Sequence, residues 1–120
     1  MTGMREAFPH LRGHKYMDLV TFRKTWVQVH TPVWFAEDEG RVYFFTRRDA
    51  GKMKRIRNNP HVEIAPCTMR GRALGPYVDG KARIALDQEA GRQAIRRKYF
   101  LARIPWIWSK DNVYLELMPA

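Results

Sequence analysis

The chain has 120 residues, of which 45% are hydrophobic, and its 22 basic residues outnumber its 12 acidic ones to give a formal net charge of +10. This length fits one domain over residues 1–120, and the composition predicts a packed core rather than disorder. There is no apolar stretch near the roughly 20 residues of a membrane span, no secretion signal and only one cysteine, Cys67, so we expect a cytoplasmic protein without an internal disulfide.

The first half of the chain predicts a short helix followed by three strands. The helix is expected over residues 5–12, where Phe8 and Leu11 lie three residues apart. Pro32 cannot donate a ladder hydrogen bond, so the second strand should be bulged or lie at a sheet edge there. The alternating and β-branched segments predict strands at Tyr16–Arg23, Val27–Glu37 and Arg41–Thr46.

The second half predicts a short basic helix after the third strand, then two strands, a longer helix and a last strand. Asp87 is expected to cap the longer helix, which runs to about Phe100. Tight turns between consecutive strands require antiparallel pairing. We therefore predict a mainly β (α+β) fold, a six-stranded antiparallel barrel with short helices at its ends. The remaining strands are expected at His61–Thr68, Tyr77–Leu86 and Asn112–Met118.

A strongly basic segment, FFTRRDAGKMKRIRNNP at residues 44–60, holds six positive charges and one acid, Asp49. If Asp49 caps a helix, Lys52 lies in its first turn, where the helix dipole disfavours a cation by about 0.3–1 kcal/mol. Gly51 also lowers helix propensity there by about 1 kcal/mol relative to alanine. Both residues suit a helix whose N-terminus holds an anion that Gly51 allows to approach closely.

On a helical wheel, Met53 and Ile56 mark the buried side of this basic helix, and Lys52 with Arg55 forms one flank. The pattern favours a single phosphate on Lys52 and Arg55, with the hydroxyl of Thr46 as a further donor. The alternative is a solvated basic face that binds no specific anion.

Several blocks in combination resemble the pyridoxamine 5′-phosphate oxidase-like superfamily. They lie between Tyr16 and Ala94 and read LVTFR, TPVWF, VYFFT, GKMKRIRNNP, VEIAPC and RGRALGPYVDGKAR. Within the superfamily, the sequence is most similar to the deazaflavin (F420)-dependent oxidoreductases. The resemblance implies an FMN-binding-like split β-barrel and a homodimer with two cofactor sites at the subunit interface. It also implies that the cofactor phosphate rests on the segment between the third strand and the short helix.

The resemblance further implies which residues contact the cofactor. Thr46 and Lys52 match the phosphate-binding threonine and lysine, and the segment with Pro66 and Cys67 is expected near the site. Ala50 and Gly51 replace the serine–arginine pair of the oxidase, which argues against classical pyridoxamine phosphate oxidation. The second-strand backbone expected along the cofactor ring comprises Thr31, Pro32, Val33 and Trp34.

These observations predict an F420-dependent oxidoreductase that transfers a hydride between F420 and a small unsaturated or heteroaromatic substrate. The cofactor performs the chemistry, so no catalytic side chain is expected and solvent can supply the proton. F420 carries a phosphodiester, a lactyl group and an oligoglutamate tail, and a basic rim suits this polyanion better than FMN. That rim comprises Arg47, Arg48, Lys54 and Arg57. Three aromatic residues are candidates to line the substrate side of the site, Tyr77, Trp106 and Trp108. The alternative is that they pack in the core or at the dimer interface.

Other functions remain open at this stage. The protein can instead be an FMN-binding oxidase-like protein, or a carrier that holds flavin, F420 or haem without turnover. Nucleic-acid binding ranks lower, because the periodicity places most of the neighbouring aromatics inside. No metal site is expected, since His10 and His14 lack further ligands. His30 and His61 are interpreted as surface or strand residues, and Cys67 as a packing residue.

Overall fold

The computed structural model describes residues 8–99 and 110–120, which form six strands and two α-helices. A single 3₁₀ turn at Pro9–Leu11 lies within the helix predicted for residues 5–12, and residues 5–7 are outside the described part. The strands are β1 Tyr16–Phe22, β2 Gln28–Asp38, β3 Arg41–Arg47, β4 His61–Cys67, β5 Val78–Ile84 and β6 Asn112–Pro119. The helices are α1 Gly51–Asn58 and α2 Gln88–Lys98.

The six strands close into one antiparallel barrel in the order β1-β2-β3-β6-β5-β4. The predicted fold class, a mainly β split barrel with short helices, is confirmed. Every strand lies within two residues of its predicted bounds at each end. No helix among the residues described is long and apolar enough to cross a membrane.

The barrel interior is filled by side chains that alternate along each strand, as the period of two requires. Met17 and Leu19 of β1 are fully buried there, and Met53 and Ile56 of α1 close one end of the barrel. The buried side predicted for the basic helix is therefore confirmed, and its charged residues are left to face outward or sideways.

A second apolar cluster lies between helix α2 and the outside of the barrel. Ile95 of α2 and Tyr99, which follows the helix, pack there with Tyr43 and Tyr114. Asp87 caps the helix as predicted, because its carboxylate accepts the backbone N–H of Ala90 at 3.0 Å. This cluster packs α2 against the outer face of the barrel.

Strand β2 pairs on both sides over only part of its length. All seven residues from Gln28 to Trp34 pair with β1, whereas pairing with β3 begins at Phe35. Within residues 8–99 and 110–120, one edge of the segment 28–34 therefore has no partner strand, and Pro32 lies in this segment, as its missing N–H predicted. This break in the hydrogen-bond ladder opens the barrel beside α1.

The cap predicted for the basic helix is wrong. Helix α1 begins at Gly51 with Ala50 in the cap position, and no side chain caps it. Asp49 instead lies 3.6 Å from Arg47, measured between a carboxylate oxygen and Nε. The reason is the tight turn that bonds the N–H of Ala50 to the carbonyl of Arg47, which places Asp49 outside the helix. Lys52 still falls in the first turn.

Replacing Gly91 with alanine should destabilise the protein although alanine favours helices by about 1 kcal/mol. A Cβ at Gly91 would lie 2.9 Å from Cβ of Tyr114 and 3.2 Å from the ring of Tyr43. Overpacking of this kind costs about 1–3 kcal/mol, so urea unfolding should show a net loss of stability. Gln93→Ala, on the exposed face of the same helix, is the control and should change stability little. A Gly91→Ala protein more stable than wild type would contradict this packing.

Replacing Tyr99 with phenylalanine should lower the free energy of unfolding by about 1–3 kcal/mol. Its buried hydroxyl lies 2.6 Å from the carbonyl of Lys15 and 2.7 Å from that of Phe35, and it accepts the N–H of Phe35 at 3.3 Å. Removing it leaves these backbone groups unsatisfied. Chemical denaturation measures the loss, and Tyr16→Phe, whose hydroxyl bonds to none of the described residues, serves as the comparison. Equal stability of the two variants would refute the role of this hydroxyl.

Candidate functional site

A cleft of about 520 Å³ lies between the free edge of β2 and the connection from β3 to α1. This volume is within the range of about 300–1,000 Å³ that is typical of small-molecule and cofactor sites. Its walls are mostly apolar, and the charged side chains gather at the α1 end. The lining residues are Tyr16, Pro32, Val33, Trp34, Phe45, Thr46, Arg47, Ala50, Lys52, Met69 and Asn112.

The β2 wall of the cleft consists of three consecutive residues, Pro32, Val33 and Trp34. Successive side chains of a strand point to opposite faces, so a surface that touches all three must run along the strand's edge. The backbone of the free edge is thus presented to the cleft, as expected of a strand that lies along a planar ring. Thr31, the fourth predicted residue, is half-buried and does not line the cleft.

Trp34 provides a rigid aromatic surface in the cleft. Its ring stacks on that of Tyr99 with a centroid distance of 4.3 Å and an interplanar angle of 11°. Tyr16, directly opposite on β1, meets Trp34 edge-on at 6.1 Å. Because the Tyr99 hydroxyl is bonded to the backbone of Phe35 and Lys15, helix α2 holds the tryptophan in place.

The opposite end of the cleft holds a half-buried cation. Lys52 lies there, and Thr46, which is 5% exposed and lies one residue before the end of β3, lines the same cleft. Burial lowers the pKa of Lys52, and the charge of Arg55 lowers it further. No carboxylate in residues 8–99 or 110–120 makes an ion pair with Lys52. A desolvated amine with a neighbouring positive charge is a favourable place for an anion.

The start of helix α1 adds backbone donors at the same end. The first amides of a helix have no partner within it, and Ala50 offers no side-chain cap for them. Ala50 and Lys52 both line the cleft, so this helix end and the lysine face the same space. The arrangement suits a phosphate group bound jointly by amides and a side-chain charge.

Arg55, predicted to share the phosphate with Lys52, does not line the cleft. Its Nε donates to the hydroxyl of Thr21, a buried residue of β1, at 2.7 Å. A terminal nitrogen of Arg55 would lie 3.0 Å from a Cβ at Gly51. Gly51 therefore makes room for this guanidinium, which is a different reason for a glycine there than the predicted approach of an anion.

Two other predicted site residues, Pro66 and Cys67, are not among the residues that line the cleft. Cys67 is buried, and burial together with nearby Asp18 raises the pKa of its thiol to about 11, so it stays protonated at neutral pH. Pro66 packs against Gly75, where an added Cβ would lie 3.0 Å from the proline ring. Neither lines the cleft, although Met69, which follows them in the loop after β4, does.

Several lining residues were not predicted as cofactor ligands. Tyr16 faces Trp34 across the β1–β2 ladder, and Asn112 faces Arg47 across the β3–β6 ladder. The pairing of Tyr16 with Trp34 follows from the hairpin register and was within reach of sequence reasoning. Asn112 comes from a strand 65 positions further along the chain than Arg47, and Met69 comes from a loop, so neither leaves a local signal.

The predicted substrate-side aromatics are not at the cleft either. Tyr77 does not line it, and its hydroxyl donates to Asp18 at 2.6 Å. Trp106 and Trp108 lie outside the described residues.

Among the described residues, one group of side chains has ligand atoms close enough to hold a metal ion. His61, Glu63 and Asp79 bring their ligand atoms within 4.8 Å of one another at the β4–β5 edge of the barrel. His61 and Asp79 already form a 3.4 Å ion pair, and the ring of His61 stacks on Phe22. These contacts explain the cluster without an ion.

The fold is shared with solved structures of several kinds. An F420 reductase has 20% identity and a TM-score of 0.65, with 100% of this chain and 95% of that one covered. A haem storage protein from Vibrio cholerae has 12% identity and a TM-score of 0.72, with 96% and 91% covered. The general stress protein 26 of Bacillus anthracis has 21% identity and a TM-score of 0.66, with 94% and 85% covered. At these identities the likeness shows the fold alone.

The comparison of sequences gives the family. No curated protein sequence matches this chain. The family model described as pyridoxamine 5′-phosphate oxidase, however, matches residues 4–117. This match covers β1 to β5, β6 as far as Leu117 and the whole cleft, and it agrees with the resemblance that the sequence blocks indicated. The chain therefore belongs to the pyridoxamine 5′-phosphate oxidase family.

Proposed function

We propose that the protein is an F420-dependent oxidoreductase that transfers a hydride between the deazaflavin and a small unsaturated or heteroaromatic substrate. The observation that carries the proposal is the half-buried Lys52, which lies at the end of an apolar cleft and has no carboxylate partner in the described part of the chain. A cation in this setting requires a negative group, and the other end of the cleft fits a planar ring. The similarity in fold to an F420 reductase supports the same choice.

Each part of the cleft has a role in binding the cofactor. Thr46, Lys52 and the first amides of α1 would hold its phosphate. The free edge at Pro32–Trp34 would lie along its ring, with Trp34 fixed by Tyr99. When bound, the cofactor supplies the hydride chemistry, and the residues of this chain bind it, orient it and exclude water.

The charges around the cleft favour F420 over FMN. Arg48, Lys54 and Arg57 are exposed on or next to α1, and Arg47 lines the cleft itself. FMN ends at its phosphate, which Thr46 and Lys52 suffice to bind. The oligoglutamate tail of F420 extends past the phosphate and would lie among these additional charges.

A homodimer with two shared sites is part of the proposal. Trp26 is 63% exposed and Val27 53% exposed at the turn between β1 and β2, next to the free edge. A second copy that covers this turn would remove apolar surface from water. We further propose that the protein works in the cytoplasm.

Two other functions differ from this one in a measurable way. An FMN-binding member of the family would bind FMN tightly and F420 weakly. A carrier would bind its cofactor without turnover. The fold shared with a haem storage protein is the observation that favours this alternative. Titrations with F420, FMN and haem, followed by assays of reduced F420 with candidate acceptors, separate the three.

Replacing Lys52 with alanine should weaken F420 binding about 10- to 100-fold, because a hydrogen bond to a charged group contributes about 1.5–3 kcal/mol. Quenching of F420 fluorescence measures the dissociation constant. The matched control is Lys54→Ala, which removes the same charge from the exposed side of the same helix. It should change affinity no more than about threefold, since exposed charges are screened. Equal effects of the two substitutions would contradict the proposal that Lys52 binds the phosphate.

Salt should weaken binding of F420 more than binding of FMN. The tail of F420 interacts with exposed charges, which salt screens within a Debye length of about 8–10 Å near physiological ionic strength. We expect the affinity for F420 to fall more steeply between about 50 and 300 mM NaCl. Combined replacement of Arg48, Lys54 and Arg57 with glutamine should remove the difference. If the affinities of the wild-type protein for the two cofactors fell equally steeply with salt, the proposed binding of the F420 tail to the basic rim would be contradicted.

A further inference from the structure

A tight turn after β4 carries Met69 to the cleft. The N–H of Gly71 donates to the carbonyl of Thr68 at 2.9 Å, so Met69 and the residue after it are the two central residues of the turn. The N–H of Thr68 donates to the carbonyl of Arg72 at 2.9 Å, and the hydroxyl of Thr68 accepts the N–H of Arg72 at 3.1 Å. Gly71 closes the turn in the left-handed conformation, with a φ of +89°. Local hydrogen bonds therefore fix the backbone of Met69.

The segment that follows the turn is held to the barrel at two places. The N–H of Leu74 donates to the carbonyl of Pro66 at 2.7 Å. Further along, the hydroxyl of Tyr77 donates to the buried carboxylate of Asp18 at 2.6 Å, and the same carboxylate oxygen lies 2.7 Å from Nδ1 of His30. These contacts join the end of the segment to β1 and β2. The turn is thus part of a connection that is anchored on both sides.

The turn lies against the apolar wall of the cleft. A Cβ added at Gly71 would lie 3.8 Å from Cγ of Pro32, so the backbone of the turn packs beside the free edge of β2. Pro32 and Met69 both line the cleft, and the side chain of Met69 is 67% exposed. Its sulfur is therefore open to small solutes from the cleft side. A planar ring that bound along the free edge would cover it.

The other sulfur side chains of the described residues are shielded from oxidants. Met17 and Met53 are buried in the barrel, and Met118 is partly buried. Cys67 is buried as well, and burial raises the pKa of its thiol to about 11, so little of the reactive thiolate is present at neutral pH. Oxidation of sulfur follows exposure and thiolate character. Within residues 8–99 and 110–120, Met69 is therefore the sulfur side chain most accessible to an oxidant.

We propose that Met69 is a site of reversible oxidation by peroxide, and that its sulfoxide weakens binding of a planar apolar ring in the cleft. The sulfur attacks one oxygen of hydrogen peroxide, and the O–O bond breaks as the S–O bond forms. The proton of the attacked oxygen goes to the departing hydroxide, which leaves as water. The thioether is oxidised and the peroxide is reduced. Methionine sulfoxide reductases reverse the change with a dithiol, which becomes a disulfide as the sulfoxide oxygen leaves as water.

The cost of the sulfoxide falls on ligand binding and not on folding. Because Met69 is mostly exposed, the added oxygen stays in water in the free protein. A ring bound over Met69 would remove that oxygen from water beside a mostly apolar wall, and a desolvated polar group without a hydrogen bond is unfavourable. We therefore expect oxidation to weaken binding about tenfold without lowering stability. The effect on binding rests on the proposed function, whereas the oxidation itself does not.

Peptide mapping by mass spectrometry, after brief treatment of the folded protein with hydrogen peroxide, tests the modification site. We expect the sulfoxide to form faster at Met69 than at Met118. The buried side chains of Met17, Met53 and Cys67 should stay unmodified while the protein is folded. Equal rates at Met69 and Met118, or earlier oxidation of Cys67, would overturn the modification site.

The effect on binding is tested with Met69→Leu, which keeps an apolar side chain of similar size without sulfur. Each protein is treated with peroxide and compared with its own untreated sample, with F420 affinity measured by fluorescence quenching. We expect an affinity about tenfold lower in oxidised wild type, recovery after treatment with the two reductases, and no change in Met69→Leu. The urea midpoint of oxidised wild type should equal that of untreated protein, which a structural lesion would lower.

A protection measurement links the two tests. Bound F420 should slow the oxidation of Met69 and leave that of Met118 unchanged, because the ring would cover only the residue in the cleft. Oxidation of Met69 at the same rate with and without F420 would overturn the placement of the ring over this side chain.

The outcomes separate this inference from the proposed function. Wild-type protein that binds no F420 before oxidation would overturn the proposed function, and the mapping would still decide whether Met69 is the modification site. Sulfoxide at Met69 with unchanged F420 affinity would overturn the effect on the cleft. An equal loss of affinity in oxidised Met69→Leu would overturn the role of Met69 in that effect.

Discussion

The break in pairing along β2 is the constraint on which the rest of the structure depends. Among the strands that the structure describes, the seven residues Gln28–Trp34 pair with β1 alone, while the barrel closes through Phe35–Asp38. A free strand edge in a closed barrel is costly unless something satisfies it. Here it forms the long wall of a cleft, faces the start of α1 across that cleft and contains Pro32. The opening of the barrel and the position of the candidate site have the same cause.

The two ends of the cleft are held by different forces. At the aromatic end, Trp34 is stacked on Tyr99, whose hydroxyl is bonded to the carbonyl of Phe35. The packing of α2 on the barrel therefore also fixes the position of Trp34. At the basic end, Lys52 is drawn partly out of water next to Arg55. The first end is stabilised by contacts within the chain, whereas the second places a partly desolvated cation where the proposed anion would stabilise it.

The six positive charges after β3 do not act as one group. Arg55 is bonded to Thr21, Arg47 lies near Asp49 and Asp111, and Lys52 alone combines partial burial with a place in the cleft. The exposed remainder contributes a long-range, salt-sensitive attraction. Because the six basic side chains have different partners and surroundings, one short segment can hold this many positive charges. The sequence predicted an anion held by Lys52 and Arg55, and of these two residues Lys52 alone lines the cleft.

The sequence by itself determined the strands, the helices and the fold family, because each depends on local periodicity, on turn residues and on blocks of contiguous residues. It also placed Pro32 at an edge, and Thr46 and Lys52 at the end of β3 and the start of α1. Only the tertiary structure decided that Arg55 turns toward Thr21, that Met69 and Asn112 reach the cleft, and that Asp18 joins His30 and Tyr77. These contacts join residues of different elements, and Asp18 and Tyr77 are 59 positions apart. Their geometry is set by how the barrel closes, which no local pattern encodes.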